Sequence, residues 1–241
     1  NTRPLSLEYK EVSAGTSTVV NFKAVGIAGN PVALNTLKIE WESAGSVAPS
    51  GPAKEFEPNA AWNHKSVMQF SLTPYVAGAA THDSLVSNTT TNYFYPNADS
   101  NNTVDYQAAL GNQGAIKDGA CDSTTNKCFV TISNIAGQAA DNYLIHFINM
   151  YKQSNIVITG TSATGPIKFE GGQAMIDVTG KARNVLKRLR VRVPLNPRAD
   201  IPGYSIEARN ICKRIQTSPN RTEFMAPPTG ALPDTPCALD Q

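Results

Sequence analysis

Short segments in which apolar and polar residues alternate recur along almost the whole chain of 241 residues. Alternation with a period of two is typical of a β-strand that buries one face. Clusters of glycine, proline and asparagine, such as residues 27–31 and 48–52, separate the segments and favour turns. The segments predicted as strands are 18–25, 37–41, 66–72, 127–132, 142–149, 154–159 and 173–178. The sequence therefore predicts a mainly β fold of antiparallel sheets, sandwich-like, with long loops and little helix.

The domain organisation is predicted from the stretches that lack this alternation. Residues 74–126 look dominated by loops, with 92–95 as an apolar anchor, and we expect a long excursion from a β scaffold there. Residues 215–241 form a proline-rich tail. The best helical signals are a single turn within 177–185 and a short helix at 206–214, for which a bent strand is the alternative. We expect one domain spanning residues 1–241.

Residues 171–194 carry an unusual concentration of positive charge. Seven cations lie between Lys181 and Arg198, and no acidic residue interrupts them. The cations at 188, 190 and 192 alternate with Leu189, Val191 and Val193, which predicts a strand with one buried and one solvated face. Pro194 is expected to end this strand, because proline has no N–H to donate to a sheet. We predict a strand pair around a turn at residues 179–180.

The charge distribution limits the partners that this stretch can have. The whole chain has 21 cations and 19 anions, a net charge of only +2, so its basic excess is local. Nucleic-acid binding usually combines cations with stacking aromatic residues, and residues 170–203 contain no aromatic residue. We therefore expect no nucleic-acid partner and interpret Arg188, Arg190 and Arg192 as a solvated strand face that contacts another subunit. Binding of a polyanion is the alternative.

The four cysteines predict disulfides and an oxidising compartment. Cys121 and Cys128 flank a turn-rich hexapeptide, and Cys212 and Cys237 flank part of the proline-rich tail. Four cysteines allow three pairings, and the sequence leaves these open. No spacing typical of a zinc site is present, which favours disulfides and an extracellular location. A low content of charged residues, 17%, is also common in secreted β-rich proteins.

One polar loop has the spacing of a calcium-binding loop. Oxygen-bearing side chains recur at every second residue, a spacing with which a loop can wrap a hard cation. The candidate ligands are Asn97, Asp99, Asn101, Thr103 and Asp105. The loop lacks the glycine and the final glutamate of an EF-hand, so an ordinary turn rich in asparagine and aspartate is the alternative. Calcium is the only cofactor that the sequence suggests.

The sequence gives little support to catalysis. The three histidines, His64, His82 and His146, lie in unrelated contexts, and no motif of a nucleophilic or metal-dependent hydrolase is present. We expect His146 to have a structural place in its apolar strand. Asp177 lies within a strand, and we expect it to bond a backbone turn or one of the arginines that follow. The prediction is that this protein is not an enzyme.

Four motifs carry a resemblance to a known family. They are residues 38–41 (KIEW), 143–151 (YLIHFINMY), 172–193 and 211–214 (ICKR), of which 172–193 is the most specific. With them the chain resembles the extracellular part of PilX-type minor pilins from type IV pilus loci of candidate-phyla bacteria such as Saccharibacteria. The resemblance implies a pilin-like globular domain. Type IV pilins begin with a hydrophobic helix, which this sequence lacks, so membrane attachment would depend on a segment outside it.

The same resemblance implies a function. Such a protein is a non-enzymatic structural or adhesive subunit of a surface filament, and its partners are other pilin subunits and a ligand on a host cell or surface. The alternative is a free-standing secreted adhesin or a carbohydrate-binding β-sandwich. A secreted enzyme with an unfamiliar site is the third hypothesis. It requires a pocket in which Asp177 or His146 lies together with other polar groups.

Overall fold

A computed structural model describes residues 3–46, 58, 60–98, 103–110, 114–122, 124–135, 140–182 and 185–195. The chain divides into two compact units, 1–203 and 204–241, and the second lies outside these residues. The strands are β1 Ser6–Val12, β2 Ser17–Gly26, β3 Thr36–Ser43, β4 Val67–Tyr75, β5 Thr90–Asn97, β6 Thr103–Asp105, β7 Ala115–Asp122, β8 Lys127–Ser133, β9 Asn142–Met150, β10 Ser154–Ser162, β11 Gly165–Glu170, β12 Gln173–Ala182 and β13 Val185–Pro194. The helices are α1 His82–Ser87 and α2 Tyr106–Ala109.

Most of these strands form one sheet that closes on itself as a barrel. Its order is β1-β10-β11-β2-β9-β4-β5-β7-β8-β3, and the last strand, β3, also pairs with β10, which closes the sheet. The pairs β5–β7 and β6–β8 are parallel, and the remaining pairs are antiparallel. The prediction of a mainly β fold with little helix is confirmed. In place of two packed sheets, the strands enclose the core within a single closed sheet.

The barrel interior holds the hydrophobic core that the alternation predicted. In β3, Leu37, Ile39 and Trp41 are buried, and the residues between them are half-buried. Strands β8, β9 and β10 show the same alternation over most of their length, because successive side chains of a strand point to opposite faces. Ring pairs such as Phe22 with Phe169, at 4.8 Å between centroids, pack side by side from the paired strands β2 and β11. This core fixes the register of the wall and so positions the segments attached to it.

The segment 74–126 differs from the prediction of a loop excursion. It contains β5 and β7, which lie between β4 and β8 and complete the wall. Interior positions of these strands break the apolar pattern: β5 places Asn92 inside, and β7 contains Gly119. A side chain at 119 would begin 2.4 Å from the buried ring of Trp41, so this strand has no apolar residue there. At Gly119 the apolar alternation fails because the ring of Trp41, from β3, occupies the interior there.

Of the two helical predictions, one is wrong and the other is not tested. The single turn within 177–185 is wrong, since residues 173–182 form β12 in the register of an antiparallel pair. The alternation of Ile176 and Val178 with polar neighbours outweighs local helical preference there. The helix at 206–214 lies outside the described residues. Within the described part of the chain, neither helix has the length and hydrophobicity needed to cross a membrane.

Candidate functional site: a hairpin with an apolar and a charged face

The basic stretch folds as an antiparallel hairpin, β12–β13, that pairs with no other strand of the described residues. Residue 176 lies opposite 191, 177 opposite 190, and 178 opposite 189. The pairing confirms a strand that ends at Pro194. The predicted turn at 179–180 is wrong: these residues lie inside β12 opposite Arg188 and Lys187, and the strands connect at 183–184, outside the described residues.

Gln173 anchors the base of the hairpin to the barrel wall. The backbone N–H of Glu8 donates to Gln173 Oε1 at 2.9 Å, and Gln173 Nε2 donates to the Glu8 carbonyl at 2.8 Å. The side-chain amide therefore substitutes for a neighbouring strand along the edge of β1. Gln173 is only 2% exposed, so both of its polar atoms require these partners.

Two further contacts hold the same place. Arg192 donates to the Ser6 carbonyl at 2.6 Å and to the carboxylate of Glu8 at 2.7 Å. At Gly172 the chain passes so close to the core that a Cβ would lie 2.8 Å from Leu7 and 3.4 Å from Val20. The absence of a side chain at 172 thus lets the hairpin leave the wall between β1 and β2.

The charged face of the hairpin is organised around Asp177. Arg188 Nε donates to Asp177 Oδ1 at 2.7 Å, and Arg190 Nε donates to Oδ2 at 3.3 Å. The hydrogen bond from Arg188 lowers the pKa of Asp177 to about 2, with a smaller contribution from Arg190. The same pair raises the pKa of Arg188. The expectation that Asp177 meets the following arginines is confirmed, and both of these arginines have a partner within the hairpin.

The opposite face of the hairpin is apolar and exposed. The exposed fractions are 50% for Ile176, 54% for Val178, 64% for Leu189, 38% for Val191 and 40% for Val193. The predicted alternation is confirmed, but the prediction that its apolar face is buried is wrong in this chain. The side-chain hydrogen bonds that hold the hairpin to β1 come from Gln173 and Arg192, which lie on the other face.

A groove of about 410 Å³ runs between β1 and the hairpin. It is lined by Glu8, Tyr9, Lys10, Gln173, Arg190, Val191, Arg192 and Pro194. Of these, Glu8 and Arg192 neutralise each other. Neither His146 nor Asp177 lines this groove.

The cysteine prediction is tested for one pair. Cys121 and Cys128 lie opposite each other on β7 and β8 and are joined by a disulfide, with an S–S distance of 2.01 Å. The bridge closes the tip of this hairpin, as the local pairing predicts. Cys212 and Cys237 lie outside the described residues.

The calcium candidates are only partly described, since Asp99 and Asn101 lie outside the described residues. Asn97 donates to Asp118 at 3.2 Å, and Thr103 begins β6. Asp105 caps α2 by accepting from the N–H of Ala108 at 3.1 Å, and it also accepts from Asn134. These hydrogen bonds lower the pKa of Asp105. The described residues contain no group of three or more histidine, cysteine, aspartate or glutamate side chains arranged to hold a metal ion. The calcium site stays a prediction.

The histidines have separate places in the fold. His146 lies on the outside of β9, where Nε2 is 2.7 Å from Ser17 Oγ, and burial lowers its pKa. His64 packs edge-on against Trp62, with ring centroids 5.2 Å apart. His82 begins α1 and lies 3.4 Å from Asp83. His146 thus has a hydrogen-bond partner as expected, but it lies half-buried on the outer face of a strand that is paired on both sides, and not in the core or at an edge.

Comparisons of the chain with protein-family models, with curated proteins and with solved structures gave no match. The resemblance to minor pilins therefore stays a prediction based on the four motifs. What the structure adds is the hairpin with two unlike faces.

Sequence reasoning missed the anchoring residues of this hairpin. Nothing in the sequence marks Gln173 or Glu8, because their roles depend on a contact between parts of the chain 165 residues apart. A glycine pair directly before an alternating strand, as at 171–172, was the one available signal, since it can indicate close backbone approach.

Proposed function

We propose that this protein is a non-enzymatic subunit of an extracellular filament of the type IV pilus kind, resembling a minor pilin. It contacts neighbouring subunits and takes part in attachment to host cells or surfaces. The observation that supports the proposal best is the β12–β13 hairpin, whose apolar face is exposed to solvent.

Exposed apolar residues are common singly, but contiguous apolar patches usually mark surfaces that bind another macromolecule. Here five aliphatic side chains on adjacent strands form one such patch. The position is also the segment with the most specific resemblance to minor pilins. A filament subunit needs surfaces of this kind, since it must contact other subunits.

The disulfide between Cys121 and Cys128 supports the extracellular part of the proposal. Disulfides persist in oxidising environments and are rare in the bacterial cytosol. The charged face, with Arg188, Arg190 and Arg192, remains a candidate for contact with another subunit. Because Asp177 and Glu8 bind these arginines, we expect reversal of their charges to disturb the hairpin before it disturbs a partner.

The test is to locate the protein on intact cells of its organism. Antibodies raised against the chain should label filaments at the cell surface in electron microscopy, and sheared filament fractions should contain the protein. Recovery of the protein only from the medium supports a free-standing secreted adhesin instead. Recovery only from the cytosol overturns the extracellular assignment.

A further inference from the structure

We infer that the apolar face of the β12–β13 hairpin binds the same face of a second copy of this chain. The two hairpins stack face to face as a small sandwich of two two-stranded sheets. The inference deepens the proposed function and rests on it for its setting, since it names one surface through which subunits contact each other.

The face is apolar over three successive cross-strand pairs. Cross-strand neighbours on it are Ile176 with Val191 and Val178 with Leu189, followed by Ala174 with Val193. No charged side chain interrupts positions 174–178 or 189–193 on this side of the pair. An isolated two-stranded hairpin is only marginally stable in water, and a second sheet packed about 10 Å away supplies the missing hydrophobic contact. The face therefore has the composition of half of a sandwich core.

The charges indicate which partner covers it. The arginines at 188, 190 and 192 lie on the opposite face together with Asp177, so stacking two apolar faces directs the cations of both copies outward. An anionic membrane or polysaccharide is attracted to the arginine face and leaves the apolar face in water. Lys187, opposite Gly180, occupies the next position on the apolar side, and its exposed charge bounds the three apolar pairs. These positions favour an apolar protein surface, and the same face of a second copy satisfies that requirement.

The size of the patch sets the expected strength of the pairing. Five aliphatic residues exposed by 38–64% offer a few hundred Å² per copy. A standard stable interface buries about 800 Å² per partner. Pairing through this face alone is therefore weak, with a Kd on the order of 10–1,000 µM. Within an assembly, where further contacts hold subunits together, local concentrations of about 1 mM make the same contact persistent.

Analytical ultracentrifugation of the full chain from about 5 µM to 1 mM tests the affinity. We expect the weight-average mass to rise from that of a monomer towards that of a dimer. The double variant V178T/V191T keeps β-branched side chains in both strands but adds hydroxyl groups to the face. It should weaken the association by about tenfold or more. The control T179S makes a change of one methyl group on the opposite face and should leave the association unchanged.

Cross-linking of adjacent residues tests the orientation. Val178 and Thr179 are both exposed and point to opposite faces. With a short bis-maleimide, V178C should give a covalent dimer at high protein concentration and T179C should not, with the parent chain as background. At about 5 µM, where the monomer dominates, both cysteines should react equally fast with a simple maleimide.

Any one of the following results overturns the inference. A parent chain that stays monomeric to 1 mM shows that this face does not pair. A V178T/V191T variant that associates as strongly as the parent chain shows the same. Slow labelling of V178C at low concentration shows that the face is covered within the monomer. Binding to vesicles containing phosphatidylglycerol that is lost in V178T/V191T assigns the face to a membrane. Filament labelling on cells is independent of all these results, so the inference and the proposed function can fail separately.

Discussion

Replacement of Gln173 by leucine tests whether its side chain acts as a substitute strand for β1. Leucine fills a similar volume, so the apolar contacts of this buried position survive, but both hydrogen bonds to Glu8 are lost. The N–H and C=O groups of Glu8 then lack partners at a half-buried place. We expect a loss in the free energy of unfolding of about 2–4 kcal/mol, from about 1–2 kcal/mol for each unsatisfied group.

The assay is urea unfolding followed by tryptophan fluorescence, since Trp41 and Trp62 are both buried. The control is Gln69→Leu, the same chemical change at a half-buried position on β4 of the barrel. Gln173→Glu provides a second measurement. Its carboxylate accepts from the Glu8 N–H but cannot donate to the carbonyl, whereas the protonated acid can. The deficit of this variant should therefore shrink as the pH is lowered from 7 towards about 4.

Two results refute the reasoning. One is a Gln173→Leu variant within about 0.5 kcal/mol of the parent chain, the usual range of harmless surface changes. The other is a deficit no larger than that of the Gln69→Leu control. Either outcome means that water or a local shift satisfies the edge of β1 without the amide.

Three further predictions concern charge, burial and the disulfide. Because the pKa of Asp177 is depressed to about 2, its stabilisation of the hairpin is present above pH 3.8 and is lost as the pH falls towards 2; NMR titration should show this, and Arg188→Lys should raise the measured pKa. Burial lowers the pKa of His146 below 6.5, so the unfolded chain takes up the proton first and stability should fall as the pH drops through 6.5. In urea unfolding, His146→Gln should remove this part of the pH dependence, and an unchanged pH profile contradicts the prediction. Changing both Cys121 and Cys128 to serine opens a loop with a sequence separation of 7 and should cost about 2–3 kcal/mol in thermal or urea unfolding, whereas a cost below about 0.5 kcal/mol argues against the bridge.

The disulfide and the ion pairs on the hairpin show which contacts can be predicted from local sequence. Cys121 and Cys128 lie close in sequence, so a hairpin tip brings them together whatever the rest of the fold. Asp177 and Arg188 also meet within one hairpin, and their pairing follows from the alternation of β13. Such contacts are predictable because the partners are close in sequence, so one hairpin brings them together without help from the rest of the fold.

The wall of the barrel was harder to predict at β5 and β7. Their interior positions include Asn92 and Gly119, which break the apolar pattern. The ring of Trp41, from β3, occupies the space at Gly119. Where a large side chain from another strand fills the interior, as at Gly119, the strand itself carries no apolar signal.

The sequence by itself determined that this protein is built of strands, which faces of those strands are apolar, and where the charges of residues 188–192 lie relative to them. Only the tertiary structure decided which apolar faces are buried. The faces of β3 and β9 line a closed barrel, while that of β12–β13 is left in solvent, although all follow the same alternation. The physical reason is that alternation fixes the direction of a side chain relative to its own strand. Burial depends on what lies opposite, and at the hairpin the contacts of Gln173, Gly172 and Arg192 with β1 and β2 direct the apolar face outward.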